Sequence, residues 1–336
     1  MIEILETRPG QPDFPLFRDF PKEIYPPDSP YFHLPETLPE AFLAGCYLLV
    51  ERGQVRARAA LYHNPQLLYQ NQKTCCVGQY EATPEVPHGR QLLEHIAAEA
   101  RALGAAFLLG PMNGSTWETY RFSLHHRYPP FFLEPYHHLY YHAHFAQAGL
   151  GAIGRYVSHK DTTLRFDHPE VLARDRALSA QGVVIRPIDL LRYEQELVRI
   201  HAFTALAFQK NFLYTPIDQD AFVQKYLPAR PFVHPQCTLL AEDAAQNLIG
   251  YFFCLDDVWN QTEKSLIVKT LARHPAERWR GLGRVIGNRI YQIATGLGYQ
   301  SIIHPFIFEQ GTSTTLSSHF SGQSYKEYIL YGKYLH

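Results

Sequence analysis

The run Arg273-His274-Pro275-Ala276-Glu277-Arg278-Trp279-Arg280-Gly281-Leu282-Gly283 is the part of this chain best suited to chemistry. It follows a β-rich stretch, Ser265–Ala272, and leads into an amphipathic helical pattern. Glycines let the backbone turn tightly and approach a ligand closely. The first N–H groups of a helix point toward the preceding loop and carry partial positive charge. A strand-to-helix loop of this kind is an anion site, and Arg278, Arg280 and Arg284 would add charge suited to phosphate oxygens. No Gly-Lys-Ser/Thr follows, so this is not a Walker loop. The third glycine of a dinucleotide fingerprint would fall on Ile286, which argues against that motif. A tight turn without a ligand has the same local sequence, so the surrounding elements must decide.

Those elements form a repeat. Residues 73–110 and 264–303 each read as a strand, a loop, a helix ending at glycine, and an apolar strand. Gly89 and Gly104 bracket the first helix as Gly283 and Gly298 bracket the second, with the same separation. Leu92, Ile96, Ala100 and Leu103 match Ile286, Ile290, Ala294 and Leu297, each set on one helical face. Gly104 and Gly298 suit left-handed positions past the helix ends. Hairpins precede both copies: Gly45–Glu51 with Val55–Tyr62, and Cys237–Glu242 with Leu248–Leu255. Ahead of the second hairpin come a strand, Val183–Pro187, and helical stretches Leu190–Gln209 and Gln219–Tyr226. This order predicts an α/β fold with a mixed sheet, present twice.

Composition narrows the rest. A chain of 336 residues that is 46% hydrophobic predicts two domains with sizeable cores. A net charge of −1 gives no broad footprint for nucleic acid or an acidic membrane. The opening Met1-Ile2-Glu3-Ile4-Leu5-Glu6 lacks signal-peptide character, no apolar run spans a membrane, and a cytoplasmic location is expected. The 5 cysteines include no Cys-x-x-Cys pair, and Cys75 and Cys76 suit a buried strand. His138 and His142 could share a helix face, yet no nearby Glu or Cys completes a metal site, so no metal is expected.

Arg278-Trp279-Arg280-Gly281-Leu282-Gly283 matches the Gln/Arg-x-x-Gly-x-Gly/Ala signature of the GCN5-related N-acetyltransferase (GNAT) superfamily, and Pro275 sits where that family often has proline. Residues 183–336 therefore resemble a GNAT domain. The resemblance implies that the amides of Arg278, Trp279, Arg280, Gly281, Leu282, Gly283 and Arg284 surround the diphosphate of coenzyme A. It implies that Leu271, Ala272 and Arg273 present backbone to the pantetheine arm and thioester. An acyl-CoA, acetyl-CoA foremost, would be the co-substrate, and a small-molecule or peptide amine would attack the thioester directly. Glu309, at a strand end, is the candidate base, although a solvated strand-end carboxylate is the more common occupant of such a place. Tyr214 falls in the region that lines the acceptor site in the family, where it could also be a packed loop aromatic. The sequence departs from the pattern further on: Gly311 stands at the usual Asn place, and Ser318 or Phe320 at the place of the tyrosine that often protonates the thiolate.

The first half resembles the same fold with a damaged loop. Glu85-Val86-Pro87-His88-Gly89 has one glycine, a proline and no preceding arginine, and proline removes an amide. Gly110-Pro111-Met112-Asn113-Gly114-Ser115-Thr116 resembles the N-terminal half of bacterial tandem GNAT-like proteins. The expected division is a degenerate GNAT-like domain over 1–157, a connecting segment over 158–182 and an acyl-CoA-binding domain over 183–336. The expected activity is acyl-CoA-dependent N-acyl transfer. The alternatives are a non-catalytic coenzyme A or partner-binding module, and a Fem-type aminoacyltransferase, although no helical insertion of that type is present. No nucleic-acid or membrane partner is expected, and a homodimer is left open.

Overall fold

The computed structural model describes residues 2–34, 37–310 and 322–336. The chain opens with β1 (Ile2–Thr7), α1 (Phe14–Asp19), α2 (Pro21–Ile24), β2 (Leu43–Glu51), β3 (Gln54–Tyr62) and β4 (Leu68–Tyr69). Next come β5 (Gln72–Ala82), α3 (Val86–Ala102), β6 (Phe107–Gly110), β7 (Phe122–Ser123) and α4 (Tyr141–Gln147). β8 (Gly151–Asp161), α5 (Pro169–Ala180), β9 (Val184–Pro187), α6 (Tyr193–Phe208), α7 (Gln219–Tyr226), β10 (Leu239–Glu242) and β11 (Leu248–Asp256) follow. The described order closes with β12 (Ser265–Arg273), α8 (Leu282–Gly296), β13 (Ser301–Phe308) and β14 (Gln323–Tyr334).

Contacts group the chain into two compact units: Met1–Arg155 with Leu213–Thr215 and Glu327–His336, and Tyr156–Phe212 with Pro216–Lys326. Residues 158–182, expected to connect the halves, lie inside the second unit, where they supply the end of β8 and all of α5. The last residues of the chain belong to the first unit. The end of β8 pairs with β13 in the second unit, and the end of β14 pairs with β6 in the first.

In the first unit β1, β2, β3 and β5 are antiparallel, β5 and β6 are parallel, and β14 runs antiparallel to β6. The β2–β3 turn is Arg52-Gly53, both at positive φ, as a two-residue hairpin of the observed twist requires. α3 buries Leu92, Ile96 and Ala100 with Val77 and Leu108 in one core. Each large side chain buried there contributes about 1.5–3 kcal/mol over leaving it in water. α3 begins at Val86, not at Gly89, because Pro87 is preset for a first helical turn. Leu103 is exposed rather than buried, since the helix has ended and Gly104 turns the chain at φ +81.

The second unit repeats that order. β9, β10, β11 and β12 are antiparallel, β12 and β13 are parallel, and β8 runs antiparallel to β13. Ile286, Ile290 and Ala294 of α8 are fully buried, in a core shared with Leu266 and Ile302. Gly298 takes the left-handed position after α8, at φ +78. α7 spans Gln219–Tyr226, and its N-cap Asp218 accepts from the backbone of Asp220 and Ala221.

Candidate functional site

The parallel pair of the second unit separates part-way along. β12 and β13 pair only at Ser265–Ser301, Leu266–Ile302 and Ile267–Ile303, and both strands then continue apart, to Arg273 and Phe308. Among the described residues, no strand pairs with the β13-facing edge of β12 from Val268 to Arg273. That stretch therefore offers a row of backbone donors and acceptors on one side. In α/β sheets a crevice at the carboxyl ends of such strands is the usual ligand site.

The loop after β12 completes the crevice. His274 N–H donates to the carbonyl of Ile249 at 2.8 Å, and His274 Nδ1 accepts from Ala276 N–H at 3.1 Å. A short 3-10 turn, Glu277–Trp279, then brings the chain to Gly281, the N-cap of α8, at φ +85. Glycine is the residue that takes this conformation without strain. Among the described residues, no acceptor meets the N–H groups of Gly281, Leu282, Gly283 or Arg284. Val285 N–H is bonded, to the carbonyl of Gly281 at 3.1 Å. A helix start with this many open amides and a positive dipole end attracts an anion.

The sequence matches no protein-family model and no curated protein. Solved structures are similar over the whole chain. One is a tandem GNAT protein from the clavulanic acid biosynthesis pathway, at 12% identity and TM-score 0.54, covering 100% of this chain and 99% of that one. Another is a GCN5-related N-acetyltransferase from Anabaena variabilis, at 10% identity and TM-score 0.60, covering 99% of this chain and 73% of that one. A third is a fungal multi-domain GH3 β-N-acetylglucosaminidase with a GCN5-related glucosamine N-acetyltransferase region, at 13% identity and TM-score 0.58. This chain is covered to 99% in that match but spans only 38% of the fungal chain. The chain has the tandem GNAT fold.

Within this tandem GNAT fold the loop arginines are engaged by protein groups. Arg284 Nη2 donates to Glu170 Oε1 at 2.8 Å, and Arg280 Nη1 to Glu277 Oε1 at 3.1 Å. The guanidinium of Arg278 lies 4.8 Å from the centre of the Trp279 ring. Arg273 donates to the carbonyl of His274. Trp279 is buried with the second unit's core. The side-chain charge expected for a phosphate is therefore partly spent on carboxylates from α5 and the loop. Leu271, Ala272 and Arg273 lie on the strand that borders the opening, with Ala272 buried and Arg273 exposed.

The two catalytic candidates fall in different units. Glu309 follows the end of β13 and is exposed. Tyr214 belongs to the first unit, where its ring stands 6.1 Å from that of Trp117, whose Nε1 donates to the carbonyl of Thr215 at 2.8 Å. Burial raises the Tyr214 phenol above its usual range. Gly311, Ser318 and Phe320 lie outside the described residues.

The first GNAT-like unit closes the corresponding opening with its own chain. β5 and β6 pair at Thr74–Phe107, Cys75–Leu108 and Cys76–Leu109 before β6 ends at Gly110. Met112 N–H then donates to the carbonyl of Val77 at 2.9 Å, and Asn113 Oδ1 accepts from Gln79 N–H at 3.0 Å. Gly78 lies under this segment: a Cβ there would come within 2.6 Å of the Met112 carbonyl oxygen. The backbone edge left open along β12 is thus occupied along β5. At the start of α3, Pro87 has no N–H and His88 N–H is bonded to Glu85.

The histidines near α4 are engaged by separate protein groups. His138 Nε2 lies 3.1 Å from the Ile24 carbonyl, and His142 meets Tyr331 Oη and the Ser123 carbonyl. His137 Nε2 accepts from Ser123 N–H. Among the described residues no group of histidine, cysteine and carboxylate side chains is placed to hold a metal.

Sequence reasoning missed Arg174. It lies on α5, with Nε donating to the Arg280 carbonyl at 3.0 Å and Nη2 to the Arg278 carbonyl at 2.7 Å. Its one local signal was placement beside Val171, Asp175 and Leu178 on a helical face, of which Val171 and Leu178 are buried.

Proposed function

We propose that this chain is an acyl-CoA-dependent N-acyltransferase whose second unit binds the coenzyme. The observation that carries the reading is the set of amides from Gly281 to Arg284 that meet no acceptor among the described residues, at the end of a strand whose edge no described strand pairs from Val268 to Arg273. The amides would receive the diphosphate of the coenzyme. The open edge of β12, through Leu271, Ala272 and Arg273, would hydrogen-bond the extended pantetheine arm and polarise the thioester carbonyl. Acetyl-CoA is the first donor to test. An amine, free or on a peptide, would attack the carbonyl carbon, form the amide and expel the thiolate.

The first unit, on this reading, is a degenerate GNAT-like domain that takes no coenzyme. The closed edge of β5 and the loss of the Pro87 amide support this.

Glu309 is the proposed base, and water relays the proton if the amine does not reach it. A non-catalytic coenzyme-binding module is the second reading. It is favoured by the exposure of Glu309. Release of free thiol from acetyl-CoA across a panel of amines separates the two. Amine-dependent release that falls in a Glu309→Gln variant supports the enzyme; coenzyme binding with no release on any amine supports the module.

A further inference from the structure

We infer that Arg174 is a positioning residue that aims the Gly281 amide at the diphosphate, an assignment that rests on the coenzyme-binding reading above. The argument begins with the peptide plane. In a trans peptide the C=O and the following N–H point in opposite directions. Arg174 Nε holds the Arg280 carbonyl, so the N–H in the same peptide, that of Gly281, is turned away from Arg174. Arg174 Nη2 holds the Arg278 carbonyl, whose peptide carries the Trp279 N–H, and that N–H closes the 3-10 turn on Ala276 at 3.0 Å. One planar guanidinium thereby fixes two peptides of the loop at once, from two nitrogens in a rigid fork that the single ammonium nitrogen of lysine does not reproduce.

The clamp is itself braced. Arg289 of α8 makes a bidentate pair with Asp175 of α5, at 2.9 and 2.6 Å. Arg284 joins Glu170, one turn before Arg174. These contacts hold α5 alongside the first turns of α8. The clamp also packs against Gly281: a Cβ there would lie 3.3 Å from Arg174 Cγ. The sequence thus combines a glycine at left-handed φ with an arginine from a separate helix that locks the resulting orientation.

The experiment compares wild type with Arg174→Ala, Arg174→Gln and Arg174→Lys, using coenzyme A and, as a ligand without the diphosphate, pantetheine. Arg174→Ala is expected to weaken coenzyme A by roughly tenfold while pantetheine binding is unchanged. Arg174→Gln, which keeps a donor without charge, is expected to retain part of the affinity. Full rescue by Arg174→Lys with none by Arg174→Gln would mean that charge alone matters, and would overturn the assignment. So would unchanged coenzyme A binding in Arg174→Ala. Hydrogen exchange of the unliganded proteins over residues 277–281 is the second readout: faster exchange at Trp279 and Arg280 in Arg174→Ala supports the clamp, and no change overturns it. Absence of coenzyme binding by wild type would defeat the acyltransferase reading first, and this assignment with it.

Discussion

Asn113 Oδ1 accepts the N–H of Gln79 at 3.0 Å, which means that the first unit uses a side-chain amide where the second, among the described residues, leaves a strand edge unpaired. The two units share a helix pattern and a parallel strand pair, and differ at the point where a ligand would enter. Asn113→Ala should leave the Gln79 N–H without its partner and lower stability by about 1–3 kcal/mol in urea unfolding. Coenzyme binding at 25 °C should be unaffected by this change. A variant as stable as wild type would show that the contact closes nothing.

Gly78→Ala is a harsher test of the same closure. The added methyl would press on the Met112 carbonyl, a backbone atom that cannot swing aside. A cost of about 1–3 kcal/mol is expected, as for overpacking elsewhere. A neutral substitution would indicate that the Met112–Asn113 segment moves readily and that the first unit can open.

The α8 face that orients the loop can be weakened without touching it. Ile290→Ala removes a fully buried side chain and should cost about 2–5 kcal/mol in urea unfolding. A loss well under 1 kcal/mol would contradict the packing described for this helix.

Acid should destabilise the chain through His304. Burial is the main cause that lowers its imidazole from 6.5 to about 4, with His159 adding to the effect and Asp161 opposing it. Its Nε2 lies 2.8 Å from Tyr291 Oη. Because the folded value is below the unfolded one, the unfolded chain binds more protons between these limits, and stability falls as pH drops from about 6.5 toward 4. The full effect is roughly 3 kcal/mol. Stability measured by urea at several pH values should fall less steeply in His304→Gln. Equal slopes in the two proteins would assign the acid sensitivity to other groups.

Much of the fold was legible because it rests on local pattern. The hairpins, the Gly104 and Gly298 helix ends and the limits of α7 follow from short-range rules, and the structure has them. The glycine loop at the start of α8 was legible for the same reason. What sequence could not supply depends on distant partners. Arg174 reaches a carbonyl 106 positions away, and its place beside Val171 and Leu178 on one helical face does not name that partner. Glu170 takes up Arg284, so a cation expected to face a phosphate faces a carboxylate. Tyr214 groups with the first unit because its neighbour Thr215 is bonded by Trp117 and Asn64, contacts that no periodicity reveals. The final strand likewise pairs with β6, far away in sequence.

Isothermal titration with acetyl-CoA is the most direct measurement of the central claim. Wild type should bind one equivalent per chain. Gly281→Glu should weaken that binding by more than tenfold, because it places a carboxylate and a strained backbone at the amides that would hold the diphosphate. Failure of the well-folded wild type to bind, or two equivalents that both survive Gly281→Glu, would contradict the account.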